Sequence, residues 1–94
     1  MIVIVDIDNT VCTQEENYLD AQPIPENIAK INKLYDEGHI IEYWTARGGT
    51  SGKHWYSDTL KQLVDWGCKF NTLLMNKPSY DIFIDDKAKR IEEL

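Results

Sequence analysis

The sequence contains few cysteines and no long apolar run. Its two cysteines, Cys12 and Cys68, do not have the spacing of a metal-binding motif, and no signal peptide is evident, so we expect reduced thiols in a cytoplasmic protein. No apolar run approaches the length of a membrane span, and the sequence therefore predicts no membrane partner. It also contains no low-complexity tract and no internal repeat long enough to define a solenoid.

Basic residues are outnumbered by acidic ones. The 94 residues include 10 Lys and Arg against 16 Asp and Glu, which gives a formal net charge of −6. This balance argues against a nucleic-acid-binding surface as the main function, although acidic proteins can act on the ends of nucleic acids. The length predicts one domain, residues 1–94, with a modest core.

Apolar runs and helical periodicity alternate along the chain. Strands are predicted at residues 2–6, 40–44, 72–75 and 80–84, and helices at residues 25–37, from 55 or 57 to 66, and 88–94. The order β-α-β-α-β-β-α favours an α/β fold, a three-layer sandwich around a mostly parallel four-stranded sheet with right-handed crossovers. By fold analogy the strand order is 3-2-1-4, which would put the ligand crevice beside the first strand.

Two aspartates follow the first strand. The run from Ile2 to Val5 is β-branched and continuously apolar, which is typical of a strand buried on both faces, and Asp6 and Asp8 come after it. Their carboxylates point to the same side of an extended chain and repel each other. A divalent metal ion or a shared proton commonly offsets such repulsion. The pair therefore indicates a site at the carboxyl edge of the sheet, where ligands bind in open α/β folds.

Polar side chains also follow the other three predicted strands. Thr45 follows the second strand, Lys77 follows the third, and Asp85 and Asp86 follow the fourth. The carboxyl ends of parallel strands lie on one edge of a sheet, so these residues are expected to meet the first pair of aspartates. The combination of carboxylates, a hydroxyl group and an ammonium group could serve phosphate chemistry.

This arrangement resembles the haloacid dehalogenase superfamily of phosphatases. The segment Asp6-Ile7-Asp8-Asn9-Thr10 is similar to the first motif of that family, and Thr45, Lys77 and the Asp85-Asp86 pair are similar to the second, third and fourth motifs. The resemblance covers the whole chain in the family's order. Asn9 stands where the family commonly has glycine, and because asparagine tolerates the left-handed conformation, we expect the motif to keep its geometry.

The resemblance implies a Rossmann-like core and the residues of a Mg²⁺-dependent phosphatase. Asp6 would attack phosphorus to form an aspartyl-phosphate, and Asp8 would protonate the leaving group and then deprotonate the attacking water. The metal ligands would be the Asp6 side chain, the Asp8 main-chain carbonyl and the fourth motif. Within that motif, analogy favours Asp86 as the direct ligand and Asp85 as a residue that orients a water molecule or Lys77.

The resemblance also implies where substrate phosphate would bind. Thr45 and the neighbouring main-chain N–H groups, including that of Ala46, would bind phosphate oxygens, and Lys77 would neutralise the nucleophile and the transferring group. Arg47 has two interpretations, since it could clamp a phosphate or carboxylate of the substrate or be solvated. The glycine-rich residues 48–54 are interpreted as a flexible substrate loop.

No cap domain fits between the motifs. Between the first motif and Thr45, a loop and one helix use all the residues. Between Thr45 and Lys77, one helix and one strand use them all. An open cleft admits a large substrate such as a glycan or polymer end, unless a neighbouring subunit of a homo-oligomer closes it. The chain is similar to small capless members found near capsule polysaccharide genes, and it shares a Thr-x-Arg element with polynucleotide 3′-phosphatases. Its charge favours a phosphorylated sugar or other small metabolite over nucleic acid.

Two functions of other classes are weighed against the phosphatase. A non-catalytic domain could keep this fold and bind metal or phosphate, but the intact Asp6 and Asp8 speak against it. A signalling receiver domain also uses an acidic cluster, a threonine and a lysine. Its phosphoacceptor lies on a middle strand, however, and no acidic residue ends the third predicted strand here.

Overall fold

Three parallel strands form one sheet in the computed structural model, which describes residues 1–48 and 54–94. The strands are β1 (Ile2–Val5), β2 (Ile40–Trp44) and β3 (Thr72–Leu74), and β2 lies in the middle. The helices α1 (Pro25–Asp36) and α2 (Tyr56–Asp65) each connect one strand to the next. The bounds of these five elements differ from the sequence prediction by at most one residue at each end.

The residues at the helix ends explain where each helix begins and ends. Pro25 occupies the first turn of α1, where its missing N–H and fixed φ are no disadvantage. Gly38 follows that helix with φ 95°, a left-handed conformation that suits glycine, and Gly67 follows α2 with φ 76°. In α1 the buried residues Ile28 and Ile31 lie about one turn apart, so the helix presents them to the sheet together.

Both helices pack against the same face of the sheet. The register pairs Val5 with Tyr43 and Tyr43 with Leu73, so these three side chains point to one side, and all are buried. Ile31 of α1 and Leu63 of α2 belong to the same buried cluster. The two crossovers run in the same direction across the sheet, and right-handed crossovers then place their helices on the same side. The core therefore has two layers, with helices on one side of the sheet.

The predicted three-layer sandwich with a four-stranded sheet is wrong. Residues 80–84, the predicted fourth strand, are exposed and pair with none of the three strands. A parallel strand beside β1 would have to start at the amino edge of the sheet, whereas β3 ends at the carboxyl edge. Parallel strands are joined by crossovers of about a dozen or more residues. Only residues 75–79 lie between β3 and the predicted strand. This connection is too short for residues 80–84 to pair in parallel with β1 of their own chain.

The remaining segments contain little regular structure. The helix predicted at residues 88–94 is reduced to a short 3-10 turn at Ile91–Glu93. Residues 11–24 contain a second 3-10 turn at Tyr18–Asp20. Of the glycine-rich segment, residues 49–53 lie outside the described residues. No helix in the described part of the chain has the length and apolar character needed to span a membrane.

Candidate functional site

Three of the predicted site residues meet at the carboxyl edge of the sheet. Asp6 follows β1 and Thr45 follows β2. The N–H of Lys77 donates to the Thr45 carbonyl at 3.0 Å, which extends the contact of the second and third strands beyond their ends. The Lys77 Nζ lies 3.8 Å from Asp6 Oδ1. A candidate nucleophile, a hydroxyl group and a cation are thus brought together at one edge of the sheet.

A tight turn after β1 sets the direction of the first motif. Asn9 has φ 62°, so the left-handed conformation expected from the sequence is confirmed. The N–H of Val11 donates to the Ile7 carbonyl at 3.0 Å, and the N–H of Asn9 donates to the Cys12 carbonyl at 2.9 Å. Ile7 and Val11 are both buried, which anchors the turn in the core. The two aspartates that flank Ile7 are therefore held by a packed turn.

A turn and three aromatic rings hold the Lys77 ammonium group. Asn76, directly before it, has φ 64° and turns the chain after β3, a role that its place before Lys-Pro could have indicated. Nζ lies 5.7 Å from the ring centroid of Trp44, 5.1 Å from that of Tyr80 and 5.6 Å from that of Phe83. It also donates to the Tyr80 hydroxyl at 3.2 Å. Cation–π contacts of this kind stabilise a positive charge at this position.

Partial burial perturbs the carboxyl group of Asp6. Its side chain is 39% exposed, and Oδ1 accepts a hydrogen bond from the N–H of Ile7 at 2.9 Å. Burial raises the pKa of Asp6 above its ordinary value, and the nearby Lys77 ammonium opposes this effect without cancelling it. A carboxylate that is partly desolvated and still reachable from solvent is suited to nucleophilic attack.

We expect Asp6→Asn to stabilise the fold slightly at neutral pH. Because the pKa of Asp6 is raised in the folded chain, the carboxyl group contributes stability below its ordinary pKa of 3.8 and loses that contribution as the pH rises through the folded pKa. Asparagine resembles the neutral acid and removes this loss. Thermal unfolding should give Asp6→Asn a higher Tm than the parent at pH 7 and a smaller difference at pH 3. An equal or lower Tm at pH 7 would contradict the raised pKa.

Thr45 and Ala46 directly follow β2. Thr45 is buried, and its Oγ1 accepts a hydrogen bond from the N–H of Arg47 at 3.2 Å. A threonine hydroxyl can accept one hydrogen bond and donate another. Ala46 is half-buried. The residues assigned to phosphate binding thus follow β2 directly, beside Lys77.

Arg47 is bound to Asp8 and is not solvated. Its side chain is 1% exposed, and its Nε and Nη2 donate to Asp8 Oδ2 at 3.1 Å and to Asp8 Oδ1 at 2.8 Å. In this bidentate geometry a planar guanidinium matches a carboxylate. The interpretation of Arg47 as a solvated side chain is therefore wrong. A direct contact with substrate stays a prediction and would require the guanidinium to leave Asp8.

The same guanidinium also binds helix α2. Its Nη1 donates to Gln62 Oε1 at 2.6 Å and to Thr59 Oγ1 at 3.3 Å, and its carbon lies 4.7 Å from the Tyr18 ring centroid. Gln62 in turn donates to the Tyr18 carbonyl at 2.8 Å. Thr59 and Gln62 lie three residues apart on one face of the helix, and this polar pair could have indicated a partner across the core. Arg47 thus joins the first motif to α2 and to the segment before α1.

Cys12 is buried beside this ion pair. Its Sγ lies 3.6 Å from Asp8 Oδ1 and 3.8 Å from Arg47 Nη2. Burial, and after it the charge of Asp8, raises the pKa of the Cys12 thiol to about 12. A thiol that stays protonated at neutral pH is a poor nucleophile, so Cys12 has a packing role.

Asp85 and Asp86 do not join the other carboxylates. Both lie on the exposed segment after Lys77, and Asp85 accepts a hydrogen bond from the N–H of Lys87 at 2.9 Å. That hydrogen bond is the main cause of the lowered pKa of Asp85. Among residues 1–48 and 54–94, no group of three or more His, Cys, Asp or Glu side chains is placed to hold a metal ion. The chain thus brings only the first aspartate pair to the edge of the sheet.

The fold of this chain also occurs in a known protein. No family model and no curated protein matches the chain. A crystal structure of a protein from Vibrio cholerae matches with a TM-score of 0.88 and 26% sequence identity, over 98% of this chain and 85% of that chain. The resemblance to haloacid dehalogenase phosphatases therefore rests on the four sequence motifs.

Proposed function

We propose that this protein is a Mg²⁺-dependent phosphomonoester hydrolase that acts through an aspartyl-phosphate on Asp6. The observation that carries the proposal is the position of the Lys77 ammonium, 3.8 Å from the partly exposed Asp6 carboxylate at the carboxyl edge of the sheet. A cation next to a carboxylate allows that carboxylate to approach a negatively charged phosphate. The order of the four motifs along the chain supports the same proposal.

Asp6 and Lys77 perform the first step. An Asp6 carboxylate oxygen forms a bond to phosphorus while the bond from phosphorus to the leaving-group oxygen breaks. The Lys77 ammonium offsets the charge of the transferring group, and the Thr45 hydroxyl and the Ala46 N–H bind its oxygens. These groups act mainly by position and charge, because phosphoryl transfer needs little further covalent chemistry from a protein.

Asp8 moves protons in both steps. In the first step the protonated Asp8 carboxyl group donates its proton to the leaving-group oxygen. In the second step the Asp8 carboxylate accepts a proton from the water that attacks phosphorus while the bond from phosphorus to Asp6 breaks, which releases inorganic phosphate and regenerates Asp6 and the protonated Asp8. The bidentate contact with Arg47 holds the Asp8 carboxylate in one orientation. Oδ2 accepts a hydrogen bond from Arg47 Nε and keeps a second lone pair for the proton exchange.

The oxygen donors at this edge suit Mg²⁺. The Asp6 carboxylate and the Asp8 main-chain carbonyl are hard ligands, and Mg²⁺ commonly binds one or two carboxylates together with water and substrate phosphate. When bound, the ion would supply positive charge to the transferring phosphoryl group. Asp85 and Asp86, the remaining predicted ligands, would have to be brought to this edge.

A phosphorylated sugar or other phosphorylated metabolite is the substrate class that we infer. The net charge of −6 disfavours binding to a nucleic-acid backbone. A 3′-phosphorylated oligonucleotide is the alternative, which the Thr-x-Arg element from Thr45 to Arg47 favours. The free cysteines Cys12 and Cys68 support a cytoplasmic location for either activity.

The decisive measurement is hydrolysis of p-nitrophenyl phosphate with and without Mg²⁺. The parent protein should show metal-dependent turnover, and Asp6→Asn should lose it because an amide cannot act as the nucleophile. Asp36→Asn is the matched control, since Asp36 is an exposed residue at the end of α1 that pairs with Lys69, and it should keep the parent activity.

The possible outcomes separate the candidate functions. No metal-dependent turnover, or full activity in Asp6→Asn, would contradict the phosphatase proposal. Absent turnover combined with measurable binding of Mg²⁺ or inorganic phosphate would favour the non-catalytic binding domain. A panel of sugar phosphates and 3′-phosphorylated oligonucleotides, assayed at equal concentration, then distinguishes the two substrate classes.

A further inference from the structure

One face of the sheet carries exposed apolar side chains. On the face away from the helices, Ile2 and Ile4 of β1 are 65% and 56% exposed, and Ile40 and Leu74 are exposed as well. We call these four residues the bare sheet face; the register places the half-buried Glu42, Trp44 and Thr72 on the same side of the sheet. Parallel sheets are normally covered on both faces, because their strands are apolar on both sides. The bare sheet face is therefore a surface suited to burial against another element.

The C-terminal segment, residues 80–90, is the second exposed apolar element. Ile82, Phe83 and Ile84 are consecutive, and they are 77%, 49% and 92% exposed. A contiguous apolar run in solvent marks an interaction site more often than an ordinary surface. The same run leads directly into Asp85 and Asp86, the predicted metal ligands that the fold leaves outside the site.

The C-terminal segment cannot pack on its own sheet in a direction that brings Asp85 and Asp86 to Asp6. The chain enters this segment from Lys77, at the carboxyl edge, so along its own sheet the segment would run toward the amino edge and carry Asp85 and Asp86 away from Asp6. A segment from a second molecule can instead run in the same direction as β1. The two elements then match in pattern, because β1 and residues 82–84 are both apolar runs that end directly at an aspartate.

We propose that the C-terminal segment of a second copy packs on the bare sheet face and that the partner's Asp85 and the partner's Asp86 complete the candidate metal site. The proposal rests on the proposed function, and it accounts for the incomplete donor set of a single chain. The apolar side chains of the partner's C-terminal segment cover the bare sheet face, and the acidic pair at the end of that segment reaches the edge of the sheet where Asp6 lies. A bound cation offsets the repulsion among these carboxylates. Because each chain carries both halves of the contact, the exchange closes as a two-fold dimer.

The oligomeric state tests the docking half of this proposal. The parent protein should be a dimer in size-exclusion chromatography with light scattering, and Ile82→Asp should be a monomer. Val64→Asp is the matched control, since Val64 is an exposed apolar residue on α2 and its substitution should leave the dimer intact. Circular dichroism checks that each variant is folded, which substitution of an exposed side chain should not change. A monomeric parent, or a dimeric Ile82→Asp protein, would overturn the proposal.

Mixed dimers test the shared site. Neither Asp6→Asn nor the double variant Asp85→Asn/Asp86→Asn should hydrolyse p-nitrophenyl phosphate alone. After equal amounts are unfolded together and refolded, each mixed dimer contains one site with intact Asp6 and an intact partner pair, so about a quarter of the parent activity should return. Activity that does not return would show that the acidic pair serves its own chain, and a fully active double variant would show that the pair is not needed. Either result would overturn the proposal.

Binding of Mg²⁺ separates this proposal from the proposed function. Titration calorimetry with MgCl₂ should show binding to the parent dimer and loss of binding in Ile82→Asp and in the double variant. A parent dimer that binds Mg²⁺ but hydrolyses no phosphate ester would contradict the proposed function alone. A monomeric parent with Mg²⁺-dependent phosphatase activity would contradict the shared site alone.

Discussion

Replacing Arg47 with methionine should lower the free energy of unfolding by about 3–5 kcal/mol, the usual cost of removing one partner of a buried ion pair. The guanidinium is 1% exposed and holds both oxygens of the Asp8 carboxylate, whose side chain is only 17% exposed. Methionine fills part of the space but leaves that charge without its partner. It also removes the donor to Gln62 and Thr59 on α2. For a domain of ordinary stability, about 5–15 kcal/mol, this is a large loss.

Urea denaturation followed by circular dichroism measures the loss. Lys61→Met is the matched control, because Lys61 makes its ion pair with Asp65 in solvent, and it should leave the denaturation midpoint unchanged. The double variant Arg47→Met/Asp8→Asn removes both charges and should recover part of the stability. A parent-like midpoint for Arg47→Met, or no recovery in the double variant, would show that the pair does not hold this region together.

Lys77→Met should lower kcat by about 10²–10³-fold, the loss found when one group that stabilises transition-state charge is removed. Methionine is similar in length and can pack among the rings of Trp44, Tyr80 and Phe83, so the fold should persist. The charge that faces Asp6 is lost. Because the Lys77 ammonium lowers the pKa of Asp6, its removal should also move the acidic limb of the pH–rate profile to higher pH.

Steady-state kinetics with p-nitrophenyl phosphate and Mg²⁺ measure both effects. Lys69→Met is the control, since Lys69 is an exposed lysine paired with Asp36, and its kcat should match that of the parent. A parent-like kcat and pH profile in Lys77→Met would remove Lys77 from the catalytic site. A raised KM with unchanged kcat would assign Lys77 to substrate binding alone.

The strand and helix pattern predicts most of the core correctly because it depends on local physics. β1, β2 and β3 are short apolar runs, and α1 and α2 each have an apolar stripe with a glycine after the last turn. Residues 80–84 have the same local pattern and still form no strand. The cause is not local, because residues 75–79 are too few to carry the chain back to the amino edge of the sheet.

The candidate site shows the same division between local and distant effects. The order of the motifs predicts that Asp6, Thr45 and Lys77 approach each other, and they do so because the carboxyl ends of parallel strands share one edge. The partners of Arg47 could not be predicted from spacing. Asp8 lies on the turn after β1 and Gln62 lies on α2, and only the packing of that helix on the sheet brings both to the guanidinium.

By itself, the sequence determined which residues form the strands and helices of the core and which polar residues follow those strands. Only the tertiary structure decided that the sheet has three strands and a bare face, that Arg47 is the buried partner of Asp8, and that the Asp85-Asp86 pair stands apart. Strand and helix formation depends on side chains within a few residues of each other. Strand pairing, ion pairing and the assembly of a site depend instead on whether the connecting chain is long enough, and runs in the right direction, to bring distant segments together.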